Sequence, residues 1–192
     1  MILRFDDHGA INLSGIPRCP ASKVLGRNIA TAYNICGPAG SQADNAFLSP
    51  AGNVSGIGST IPVNGGAVAC TMIFKGADNN HLTIYARAPV ANATTGCNNP
   101  ATHTGGNATV VFTGTLSHQP ASSIYNWTLS VPNTQTANPA LDDFYATVAR
   151  GGAFRGRCSG RTPRPHRMLV TWDYTAAGDP NDNHTSAHAC PH

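Results

Sequence analysis

Glutamate is absent from this chain, and charged residues of all kinds make up only 11% of it, against about 25% in an average soluble protein. The nine acidic residues are therefore all Asp, which favours turns and caps over helix interiors and argues against a helical class. No two cysteines stand as C-x-x-C, so zinc-ribbon, thioredoxin-like and haem-attachment patterns are excluded. No apolar run reaches the roughly 18 residues that a membrane-spanning helix needs. The first residues, MILRFDD, meet charge before any apolar stretch forms, so no signal peptide is read there. The expectation is a chain that starts at a mature end, or one whose export is directed by something removed.

Apolar residues make up 41% of the 192 positions, enough for one sizeable core, and a single domain spanning 1–192 is expected. With so little charge, the surface must be covered by Ser, Thr, Asn, Gln and Gly. Such a coat is typical of exported proteins, cell-surface proteins and subunits that assemble. The six cysteines, Cys19, Cys36, Cys70, Cys97, Cys158 and Cys190, are even in number and widely spread. Several connectivities are open, and nearest-neighbour pairing gives 19–36, 70–97 and 158–190. By loop-closure entropy each bridge would stabilise the fold by roughly 3 kcal/mol. Bridges of this kind persist in oxidising compartments, so a secreted or cell-surface location is expected.

Along the chain, GAINLSG (9–15) alternates apolar and polar residues as a strand does. Residues 21–37 read as one helix: Ser22 stands at its start, Val24, Leu25, Ile29, Ala32 and Ile35 recur at helical spacing, and Gly37-Pro38 ends it. From 37 to 66 the chain is Gly-, Ser-, Pro- and Asn-rich, and irregular loops with short edge strands are expected. The segments 67–75 and 81–89, joined by GADNN, form the clearest hairpin. Further strands are expected at 107–118, 123–131, 141–149, 153–159 and 167–175. The predicted fold is mainly β: a disulfide-stapled antiparallel β-sandwich with one short N-terminal helix.

The motif GAINLSGIPRC, followed by a short helix and AYNICGPA, resembles a group of secreted actinobacterial proteins that share G-x-I-x-x-x-G-[LI]-P-x-C and A-x-x-x-C-G-x-A. Gly15, Ile16, Pro17, Cys19, Cys36 and Gly37 carry the first part of the resemblance, and Cys158 and Cys190 match its two C-terminal cysteines. HLTIYARAPV, NWTLSVPN, LDDFYATV and GAFRGRC extend it over most of the chain. Cys70 and Cys97 stand outside the family pattern, and the start at Met1 lacks the export signal that members carry. The resemblance implies fold and location and brings no activity with it.

Half of the twelve basic residues fall in one window, Arg150, Arg155, Arg157, Arg161, Arg164 and Arg167. They read either as the solvated face of a hairpin or as a patch for a polyanion such as an acidic glycan. Only Phe154 interleaves them, so the stacking platform that single-stranded nucleic acid requires is missing and nucleic acid is not an expected partner. The tail DPNDNHTSAHACPH is rich in metal-capable side chains. His184, His188 and His192 are weak metal candidates: His184 and His188 would share one face of a helix, but no Glu follows the first of them, and a strand-forming or mobile tail is the plainer reading. The same tail departs from a calcium loop at His184 and Cys190, where Gly and Glu are needed.

No G-x-S-x-G elbow is present, and Asp142-Asp143, adjacent on a strand, would point to opposite faces. Trp127 and Trp172 share strand faces with Leu129 and Val170, and core packing is expected for both. With no catalytic signature and no expected cofactor, the chain reads as a non-enzymatic extracellular or cell-surface structural or adhesion protein. Its expected partners are further copies of itself or a cell-surface polymer, and the alternative is a polyanion- or glycan-binding module.

Overall fold

A computed structural model describes residues 1–6, 9–38, 45–48, 68–90, 108–120, 125–132, 153–156, 166–172 and 182–188. The described elements are β1 (Ile2–Asp6), β2 (Gly9–Ile11), α1 (Ala21–Val24), α2 (Ile29–Cys36), β3 (Val68–Lys75), β4 (His81–Val90), β5 (Ala108–His118), β6 (Tyr125–Ser130), β7 (Phe154–Gly156), β8 (His166–Trp172) and β9 (Asp182–His188). Among the described residues strands dominate, and every pairing between them is antiparallel. Seven strands form one sheet in the order β3-β4-β5-β6-β1-β8-β9, and β2 and β7 form a separate two-stranded ribbon.

Alternation along the strands divides the apolar side chains between two cores, because successive residues point to opposite faces. On one face Met72, Phe74 and Tyr85 pack with Val24, Ile29, Ala32, Cys36 and Phe47. On the other, Ile73, Leu82, Ile84, Leu116 and Leu129 pack with Leu13, Leu48, Val131 and Ala153. Strands β3 and β4 are thus covered on both sides, which is why their sequences run almost continuously apolar. Trp127 is half-buried against the second core, in line with the packing expected for it. Its ring meets His118 edge-on at a centroid distance of 5.0 Å.

The predicted hairpin 67–75/81–89 is present as β3 and β4, with Ile73 opposite Ile84 and Met72 opposite Tyr85. Beside β3, Leu48 donates its N–H to the Ile73 carbonyl at 3.0 Å and Lys75 donates to the Ala46 carbonyl at 2.9 Å. Residues 45–48 therefore satisfy part of that edge, one of the ways sheets avoid exposed edge strands. Strand β1 has no counterpart in the sequence reading. It lies between β6 and β8, with Leu3 opposite both Leu129 and Val170.

The single helix expected over 21–37 is two helices. Gly26, at φ 71°, turns the chain out of α1, and Asn28 caps α2 by accepting the Thr31 N–H at 2.7 Å. Ser22 is not the cap, since Pro20 holds that position in α1 without a side-chain bond. The break turns Leu25, one of the apolar residues that recur at helical spacing, out to solvent, where it is 61% exposed. The expected strand at 9–15 is shorter, ending at Ile11. The expected strand at 141–149 lies outside the described residues.

Candidate functional site

The Cys19–Cys36 disulfide is formed, with the Cα atoms 5.9 Å apart, and both residues are fully buried in the first core. Cys19 is fixed to the sheet through its backbone as well. Its N–H donates to the Lys75 carbonyl at 2.9 Å, and its own carbonyl accepts from the Thr83 hydroxyl at 2.6 Å. The bridge therefore ties the last turn of α2 to a residue anchored on β3 and β4. The other two expected bridges need Cys97, Cys158 and Cys190, which lie outside the described residues; Cys70 sits on β3 opposite Arg87.

Between the helices, one backbone carbonyl gathers three donors. Arg27 O accepts from the Tyr85 hydroxyl at 2.8 Å, from Arg87 Nη1 at 3.1 Å and from the Thr109 hydroxyl at 3.1 Å. Arg87 Nη1 also donates to the Thr109 hydroxyl, its cross-strand partner from β5. Burial raises the Tyr85 phenol above its ordinary pKa, with Thr109 and Arg87 opposing. The phenol consequently stays protonated at neutral pH and serves as a donor. Chemically the cluster is a clamp that pins the helix turn to the sheet.

A second polar node surrounds Lys75, which is only 4% exposed. Its Nζ donates to the Leu13 carbonyl at 2.8 Å and the Ile16 carbonyl at 2.7 Å. Burial, reinforced by Arg18, lowers its pKa, and Asp78 offsets this in part. Asp78 closes the β3–β4 turn, accepting the Asn80 N–H at 2.8 Å and facing His81 Nδ1 at 2.7 Å. The Asn80 N–H, followed by His81, holds the Asp78 carboxyl below the usual range. Neither node was anticipated from the sequence. For Lys75 a signal existed: it is two residues beyond Ile73 on the same strand, so a buried ammonium follows from the alternation.

Of the basic window, Arg155 lies on β7 opposite Ala10 and is exposed, and Arg167 lies on β8 opposite Ala187. Arg150, Arg157, Arg161 and Arg164 lie outside the described residues, as does His192. His184 and His188 are on strand β9, where His184 is opposite Val170 and His188 opposite His166. This corrects the helical placement weighed for that pair: four residues along a strand span about 13 Å, too far for two imidazoles to share one ion. The chain matches no family model, no curated protein and no solved structure.

Proposed function

We propose that this chain is a non-enzymatic extracellular or cell-surface structural protein that associates with further copies of itself, built as a disulfide-stapled β-sandwich-like domain. In that architecture the helices and the β2–β7 ribbon supply the layers against the large sheet. The observation that carries the proposal is the buried Cys19–Cys36 bridge in an antiparallel β-domain whose chain is only 11% charged. A disulfide of this kind is compatible with an oxidising compartment, and a nearly uncharged coat lowers the repulsion between copies. The likeness to secreted actinobacterial proteins supports the same location.

Sedimentation and electron microscopy of natively exported protein test the proposal. Concentration-dependent assembly is expected, and a strict monomer at high concentration overturns self-association. Thiol titration tests the location: six reactive sulfhydryls in untreated protein, one for each Cys of the sequence, would overturn it. The exposure of Arg155 on β7 favours a second reading, a polyanion- or glycan-binding module using Arg150 to Arg167. It requires binding that weakens steeply with salt and is lost when Arg155, Arg157 and Arg161 are replaced. Salt-independent binding eliminates it.

A further inference from the structure

The β8–β9 pairing brings together two histidines that are 22 positions apart in the sequence, His166 and His188, as direct register partners. Directly opposed residues of an antiparallel pair carry their Cβ atoms about 4.5–5.5 Å apart on the same sheet face. Metal–imidazole bonds are about 2.0–2.1 Å long, so two imidazoles starting from that separation can close on one ion. The seven pairs from His166↔His188 to Trp172↔Asp182 run without a register shift, so the opposition belongs to a regular ladder. Arg167, paired with Ala187, is one step along, and strand alternation assigns it to the other face.

We propose that His166 and His188 form a two-imidazole site for a divalent first-row transition-metal ion, joining β8 to β9. Imidazole nitrogen suits Zn, Cu and Ni, whereas Ca and Mg require oxygen ligands. With two protein ligands, the remaining coordination positions stay open to water. His184 pairs with Val170 and stands about 13 Å along the strand from His188, outside the reach of the same ion. It is therefore the internal control.

The test is calorimetric titration of Zn(II) and of Ni(II) into the full, oxidised, tag-free chain. One equivalent is expected, at least about tenfold weaker in both His166→Ala and His188→Ala and within about twofold of wild type in His184→Ala, with no uptake of Ca(II) or Mg(II). Should an alanine variant fail to fold by circular dichroism, acylation of wild-type imidazoles by diethyl pyrocarbonate with and without Zn(II) gives an independent reading. Protection confined to His166 and His188 supports the site. It is overturned by absence of metal uptake in the wild type, by unchanged affinity in folded His166→Ala, or by protection falling on His184 or His192 instead.

Discussion

The hydroxyl of Tyr85, a fully buried side chain of β4, donates to the carbonyl of Arg27 at 2.8 Å, between two helices 58 residues earlier in the chain. That carbonyl also receives Arg87 and Thr109, so loss of the phenol does not orphan it. Tyr85→Phe keeps the ring in the first core and removes one hydrogen bond. The expected cost is about 1 kcal/mol, read as a lower urea midpoint with unchanged slope. A loss several times larger would mean that the three donors act as a unit.

The Cys19–Cys36 bridge closes a loop with a sequence separation of 17. On the chain-entropy account its removal in the double variant Cys19→Ala/Cys36→Ala costs about 3 kcal/mol. Both sulfurs lie in the first core, so the cavity left behind adds to that loss. Denaturant unfolding of the double variant measures it. A change under about 1 kcal/mol would show that the Thr83 and Lys75 contacts to the Cys19 backbone hold this corner without the covalent link.

How much of this was readable beforehand depends on whether the deciding interaction is local. The β3–β4 hairpin was legible because Asp78 and Asn80 form their turn from neighbouring atoms and the flanking runs are apolar. Strand β1 was not, because Ile2–Asp6 is short, contains Arg4 and acquires its identity from β6 and β8, which lie more than a hundred residues away. The helix was legible as a region and misjudged as a unit. The spacing of Val24, Ile29 and Ala32 continues across Gly26, and the apolar pattern cannot report the left-handed backbone there. The Arg27 clamp escaped notice for a different reason: its acceptor is a main-chain carbonyl, to which side-chain identity gives no clue.

The break between α1 and α2 yields two separable expectations. A Cβ at Gly26 would meet no atom within 4 Å, so Gly26→Ala is penalised only by its φ of 71°, by about 1 kcal/mol. Asn28→Ala removes the acceptor for the Thr31 N–H and costs a similar amount, about 1 kcal/mol. Replacing Gly26 by Asn, which tolerates the left-handed region better than Ala, should recover part of the first loss. Urea midpoints for the three variants check the order. If Gly26→Ala stabilises, the two segments must be able to join into one helix.

Lys75 offers a pH test with a definite sign. Its pKa in the folded state lies below the 10.5 of a free lysine, mainly through burial, so the unfolded chain binds the extra proton between the two values. Stability therefore rises with pH across that window, as the cost of burying the cation is relieved. The neutral amine still donates to Leu13 and Ile16. Lys75→Met leaves both carbonyls without that donor and should cost about 2 kcal/mol at neutral pH. Tyr33 and Tyr85, raised above 10.0 by burial, pull stability down at the alkaline end, but they do so in both proteins and cancel in the difference. The gap between wild type and Lys75→Met should accordingly widen as pH is raised from neutrality toward 10.5 in paired urea titrations. A gap that stays constant or narrows would mean that the ammonium is no harder to bury in this cradle than to leave in water.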